Sequence, residues 1–291
     1  MDMKKNVLLN LFVAFMLSLT CSACNNDDAE DRNADIENKE DGDNTSGDKE
    51  GEDEGKGSPY KPFETNIMVK QIIEYATGQG QSKQKDYHNF KYDEKGRIIE
   101  YITHRDNTLM DDWLYFYRND TIYHQSLAGS GNGEVIPYAE LGDNGYVLYF
   151  LGLYGEHVSP WIYGYDDNGF LKQFDSVFLS YSKENRSAVA LGKKDLWVRF
   201  YKYTQYLNNT SIDLNSIILE KTYTPRHGAQ FDFVGKRSMY LIDSSADANG
   251  KLPRVYAYEL DNKNRISKIS CVTRSGNNIM YTNYYEIDYY D

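Results

Sequence analysis

The residue types that carry enzyme chemistry are present in this sequence, but not at the spacings that chemistry needs. Five histidines, His88, His104, His124, His157 and His227, are scattered, and no two have the separation that sets a zinc pair on one helical face. Cys271 stands alone beyond residue 24, so no cysteine and histidine metal set assembles. Ser245-Ala-Asp247-Ala-Asn249-Gly250 begins like a calcium loop, yet Tyr256 occupies the place of the bidentate glutamate, and a polar hairpin loop explains the run. Asp166-Asp167-Asn168-Gly169 is explained by turn chemistry before cation binding. Gly129-Ser-Gly131-Asn-Gly133 leads into the β-like Glu134-Val135-Ile136, and so lacks the helix N-terminus that a phosphate cradle uses. No serine elbow occurs. Carboxylates are plentiful enough for a glycosidase pair, but the sequence sets no separation between any two of them. No catalytic residue is assigned, and no metal or cofactor is called for.

What remains is aromatic surface. Aromatic residues make up 14% of the chain, with 27 tyrosines against 12 phenylalanines. Tyrosine suits half-buried positions, where the ring packs and the hydroxyl reaches a partner. Rings on a sheet are mostly core, but on a concave face they can stack on sugar rings or cover lipid chains. Trp113, Trp161 and Trp197 are therefore the candidate ligand-binding residues. The function adopted is a noncatalytic cell-envelope module that binds glycans or other amphipathic ligands. A structural or assembly lipoprotein working through protein contacts, and an envelope hydrolase, stay open beside it.

The elements that must position these rings are hairpins. Phe90-Lys-Tyr92-Asp93-Glu94-Lys95-Gly96-Arg97-Ile98 is an aromatic strand end, an acidic turn closed by glycine, and a second apolar strand. Aspartate can hold the turn through its side chain, and glycine accepts the left-handed backbone that ends it. Tyr165-Asp166-Asp167-Asn168-Gly169-Phe170-Leu171 repeats this order, and Tyr258-Glu-Leu-Asp261-Asn262-Lys263-Asn264-Arg265-Ile266 repeats it with Asn264 as the left-handed residue. Leu141-Gly-Asp143-Asn144-Gly145 is a degenerate copy.

From Pro62 onward, short apolar runs are bounded by Gly, Asn and Asp, with no helical period sustained over three turns. About fifteen strands are expected, among them 169–180, 195–205, 216–223 and 236–242, with a loop or a helical turn over 206–216. So many strands in one meander must curl, because twist prevents a large open sheet from staying flat. The expected fold is all-β: a long antiparallel meander forming a strongly curved sheet or barrel-like domain.

The amino terminus reads as an address. Lys4 and Lys5 precede an apolar core from Val7 to Leu19, the pattern of a signal peptide too short to span a membrane comfortably. The core ends in Leu19-Thr20-Cys21-Ser22-Ala23-Cys24, which resembles the lipobox of bacterial lipoproteins. Residues 1–23 are then the signal peptide, and Cys24 is the acylated first residue and the membrane anchor. Residues 24–57 form an acidic tether with almost nothing apolar, unable to bury enough surface to fold. Asn25-Asn26-Asp27-Asp28 resembles the export signal that sends Bacteroidetes lipoproteins to the outer face of the outer membrane. Fourteen acidic and four basic residues lie in 25–57, so a formal charge of −12 for the chain leaves only −3 on residues 58–291. A nearly neutral domain offers no basic face for nucleic acid. Nothing in the sequence specifies an oligomeric state.

The Tyr-Asp-x-x-Gly hairpins at Tyr92 and Tyr165, the Asp143-Asn144-Gly145-Tyr146 copy, the Trp113 to Ile122 strand pair and the closing Tyr258 to Ile269 hairpin follow one another behind a lipobox. In that order they resemble a Bacteroidetes lipoprotein family of unknown function with a porin-like β-fold. The resemblance covers residues 62–291. It implies a meander curling into a barrel or half-barrel, and it brings no catalytic residues.

Overall fold

Alternation of inward apolar or aromatic side chains with outward polar ones produces sixteen strands. The computed structural model describes residues 58–78, 84–128, 133–151, 163–174, 176–191, 197–219, 232–250 and 252–291. The first eight strands are β1 (Val69–Gly78), β2 (Lys85–Tyr92), β3 (Ile98–Arg105), β4 (Thr108–Arg118), β5 (Thr121–Ser126), β6 (Val135–Leu141), β7 (Val147–Phe150) and β8 (Tyr163–Tyr165). The second eight are β9 (Leu171–Phe174), β10 (Val177–Ser182), β11 (Asn185–Leu191), β12 (Trp197–Leu207), β13 (Tyr240–Asp247), β14 (Arg254–Leu260), β15 (Ile266–Ser275) and β16 (Asn278–Tyr289).

All sixteen lie in one sheet, in the order β7 back to β1, then β16 back to β8. Every pairing is antiparallel, and β1 pairs with β16, so the two ends of the meander meet. The sheet ends at β7 and β8. Those two edges are joined by side chains: the Tyr165 hydroxyl donates to the Val147 carbonyl at 2.8 Å, and Tyr146 stacks on Tyr165 at 5.4 Å. The result is a nearly closed barrel-like sheet, with a seam between β7 and β8 where no backbone ladder joins the described residues.

The tyrosine surplus has a structural use at one end of this barrel. Tyr92, Tyr117, Tyr165, Tyr203 and Tyr289 donate to the carbonyls of Val69, Ile98, Val147, Arg186 and Ile266 at 2.6–2.8 Å. Tyr258 does the same to Ile242. Each reaches from one strand to a carbonyl of the strand before it.

The repeated turns behave as their sequence predicts. Asp93 Oδ1 accepts from the Lys95 and Arg97 amides, both at 2.9 Å, and Asp261 Oδ1 accepts from Lys263 and Arg265 at 2.9 and 2.8 Å. Gly96, Gly145, Gly169 and Asn264 all have positive φ, which closes each turn.

Three parts of the chain depart from the sequence expectation. The strand expected over 169–180 is two strands, β9 and β10, with Phe174 facing Val177 across a tight reversal that no glycine or proline marks. Strand β11 lies between the expected strands 169–180 and 195–205 and matches neither. The run expected as a strand over 216–223 starts instead as helix α1 (Leu214–Ile218), and its residues 220–223 lie outside the described ones. Asp213 caps the helix by accepting from the Asn215 amide at 3.1 Å. Asn215 then donates to Tyr240 O and accepts from the Ile242 amide, at 2.8 and 3.0 Å, so α1 is locked against β13. Local capping and these two bonds outweigh the β-branched content of Ile217 and Ile218.

The two faces of the sheet are opposite in character. Ile72, Phe90, Ile122, Val189 and Ile269 are buried on the inner face, together with Ile212 and Phe233 from the connection between β12 and β13. The outer face carries charge, including Lys70 with Asp288 at 3.6 Å, Lys91 with Glu100 at 2.5 Å, and Lys268 with Glu259 at 3.9 Å. A membrane-spanning barrel has the reverse pattern, because a charged group on the lipid face is costly. No described helix is long and apolar enough to cross a membrane.

Candidate functional site

Inside the barrel one aromatic ring from each of six strands lines up in a ladder. Trp113 on β4 stacks on His124 of β5 at 4.6 Å and 16°, and His124 stacks on Tyr138 of β6 at 4.6 Å and 25°. Tyr138 meets Phe150 of β7 edge-on at 5.2 Å, Phe150 meets Tyr163 of β8 at 5.5 Å, and Tyr163 stacks on Phe174 of β9 at 6.2 Å. The Phe150 to Tyr163 contact carries the ladder across the seam. Such pairs add about 0.5–1.5 kcal/mol each beyond area burial, so the ladder contributes to closure where no backbone ladder joins the described residues.

The ladder has a buried end and an open one. His124, Tyr138, Tyr163 and Phe174 are buried, whereas Trp113 is half-buried. Trp113 belongs to the inward set of β4 with Tyr115, which is buried, and Tyr117, which stacks on Tyr60 at 5.3 Å. It presents indole surface that the core has only partly covered. Of the other two tryptophans, Trp161 lies outside the described residues. Trp197 opens β12 opposite Leu191, and nothing is assigned to its side chain. The structure therefore places one candidate tryptophan, Trp113, on the inner face.

The inner wall also carries charge, unequally. On β1 and β2, Glu74 faces His88, whose Nε2 is 3.8 Å from the carboxylate and whose Nδ1 is 2.8 Å from the Tyr101 hydroxyl. Burial first, and then Asp111, Glu74 and Asp86 nearby, push the Tyr101 phenol well above its ordinary value. Around β11, β12 and β14 the wall is basic instead. Arg199 and Arg254 are 3% and 8% exposed, and Arg199 Nη1 donates to Ser245 Oγ at 3.0 Å. Burial raises the Cys271 thiol pKa, an effect that Arg254 and Tyr256 only partly oppose. Among the described residues no group of three His, Cys, Asp or Glu side chains converges to hold a metal.

Sequence reasoning names Trp113 but not the rings beside it. In the sequence His124 is one scattered histidine, because its partners come from other strands. The inward arginines left a usable trace: Arg199-x-Tyr201-x-Tyr203 and Arg254-x-Tyr256-x-Tyr258 set each arginine in the same period-two register as tyrosines that line the interior.

No protein-family model matches this sequence, and no curated protein does either. Solved structures do match in fold. A porin-like protein from Bacteroides uniformis superposes with a TM-score of 0.52 at 14% identity, over 76% of this chain and 98% of that one. A porin-like protein from Bacteroides vulgatus aligns over 77% of this chain and 99% of its own at 11% identity, with a TM-score of 0.29. The likeness to the first is one of fold, and it agrees with the barrel-like sheet described above.

Proposed function

We propose that this protein is a noncatalytic cell-envelope lipoprotein whose barrel interior binds glycans or other amphipathic ligands at the open end of its aromatic ladder. The observation that carries the reading is Trp113: it is half-buried on the inward face and backed by His124 at 4.6 Å. A ring held rigid from behind, with surface still uncovered, suits stacking on a sugar or an acyl chain. Trp161 and Trp197 are the further candidates. The anchor in this reading is acylation at Cys24, with 24–57 as the tether and the outer face of the outer membrane as the location. The charged exterior of the sheet supports a barrel held beside the membrane by its lipid and not inserted in it.

The test is a screen of the mature protein against envelope and host glycans and amphipathic lipids, read by tryptophan fluorescence, with product analysis on the same mixtures. Trp113→Ala is expected to weaken binding while lowering stability by about 1–2 kcal/mol, less than the 3–5 kcal/mol typical of a core tryptophan. Turnover of any substrate would move the protein to the hydrolase class. No ligand response from the intact protein would end the binding reading and leave a structural role.

A further inference from the structure

We propose that the inner wall formed by β11, β12, β14 and β15 is a binding site for a doubly charged oxyanion, a phosphate or sulfate group, held by Arg186, Arg199 and Arg254 with the hydroxyls of Tyr201 and Thr273. The site is separate from the aromatic ladder and does not rest on it.

The strand registers bring these groups together. Arg199 and Tyr201 are two residues apart on β12 and are both buried, so they share the inner face. Ser245 of β13 is opposite Tyr201 on one side and Arg254 of β14 on the other, and Arg254 is opposite Thr273 of β15. Arg186 arrives by a bulge. The β10–β11 register runs Ser180 to Ala188 and then Tyr181 to Arg186, so Ser187 is an extra residue, and the slip turns Arg186 to the same face as Val189. The Tyr203 hydroxyl holds that bend by donating to the Arg186 carbonyl at 2.6 Å.

The polar atoms here are built in but not used up. Tyr201 is only 7% exposed and Thr273 only 2%, and neither hydroxyl finds a hydrogen-bond partner among the described residues. Nε and Nη1 of Arg186 are likewise buried and bond to no described residue, and no described carboxylate forms an ion pair with it. Buried donors left in this state cost stability unless something enters to accept from them. All three guanidinium groups act on Tyr201, and an oxyanion there would accept from the unbonded Nε and Nη1 of Arg186 and offset the positive charge gathered on this wall. The surroundings agree. Burial raises the Tyr201 phenol pKa, and all three arginines pull against that rise. At Tyr281, opposite Thr273, burial also acts upward, but Arg254 helps to outweigh it and the phenol lies below its ordinary value.

The experiment is calorimetric titration of the full mature protein in detergent, near neutral pH, with inorganic phosphate and with inorganic sulfate. Ionic strength is held constant with chloride, and Tm is followed in parallel. Saturable binding with a rise in Tm is expected for at least one of the two ions. Arg186→Gln should weaken it about tenfold or more, the usual loss when a charged hydrogen-bond donor is removed. Tyr201→Phe, which deletes one oxygen, should weaken it several-fold, and it decides the matter if Arg186→Gln fails to fold. Lys202→Gln removes a charge from the outer face of the same strand and should leave binding unchanged. A Tm that follows ionic strength alone overturns the proposal, as does equal weakening in Lys202→Gln and Arg186→Gln, or full affinity in Tyr201→Phe.

Discussion

Tyr165 donates its hydroxyl to the Val147 carbonyl at 2.8 Å, and this bond joins the two strands at which the sheet ends. Tyr117 makes the same bond to Ile98, and Tyr289 to Ile266, within strand pairs that also share a backbone ladder. At the seam the tyrosine works without a ladder beside it. The seam thus reuses a device that elsewhere reinforces pairing, and its contribution there carries closure.

Tyr165→Phe is expected to lower stability by about 0.5–1.5 kcal/mol, the net value of one hydrogen bond. Amide exchange in β7 and β8 should accelerate while β14 and β15 keep their protection. Tyr117→Phe should cost a similar amount without exposing any one strand pair. Equal exchange patterns in the two variants would show that the seam does not depend on this hydroxyl.

Gly96 and Gly169 have φ of +78° and +84°, so a β-branched residue at either is strained by about 1–3 kcal/mol. The space around them differs. A Cβ on Gly169 would lie 2.8 Å from Tyr146 Cε2, whereas one on Gly96 meets nothing nearer than Pro62 Cγ at 3.9 Å. Gly169→Val should therefore cost more than Gly96→Val in chemical unfolding, since it also displaces the ring that stacks on Tyr165. The reverse order would contradict the packing at the seam.

Asp261 links a turn to pH. Burial acts to raise its pKa, but the Arg265 amide and guanidinium, with the Lys263 amide, outweigh it and hold the carboxyl below its ordinary value. A depressed folded pKa means that the stabilisation is present above the unfolded value, about 4, and is lost as pH falls through the folded one. Asp261→Asn should thus be less stable than the native protein at pH 7, with the gap closing as pH drops below about 4. Urea midpoints measured between pH 2 and 7 check this, and a gap that stays constant with pH would refute it.

Cys271 is 2% exposed, and burial pushes its thiol pKa up, so an aqueous thiol reagent should react slowly with the folded protein. The unfolded, unreduced mature protein should release one thiol, because cleavage removes Cys21 and acylation occupies Cys24. Two thiols would mean that Cys24 carries no lipid. None, in a monomer, would mean that Cys271 is modified.

The turns were legible in the sequence because they are local. An aspartate three residues before a glycine or asparagine carries its own instruction, since the carboxylate, the amides it accepts from and the left-handed residue lie within five positions, as at Asp93 to Arg97 and Asp261 to Arg265. The curling of the sheet was also legible, because strand number and twist together leave few other outcomes. Where a turn had no such punctuation, between Phe174 and Val177, two strands looked like one. Where a cap and an asparagine side chain outweighed propensity, at Asp213 and Asn215, a helix replaced a strand.

The interior was settled only by tertiary structure. Nothing in the neighbourhood of Trp113 or His124 along the chain says that their rings lie 4.6 Å apart, or that four more strands extend the row across the seam. Arg186 is the plainest case. One extra residue, Ser187, reverses the face on which every following side chain of a strand emerges, and whether a bulge forms depends on the neighbouring strand and not on the residues themselves. The sequence determined which segments become hairpins, because turn chemistry is short-range. Which side chains meet inside the barrel was decided by register across strands, a long-range property that no local pattern encodes.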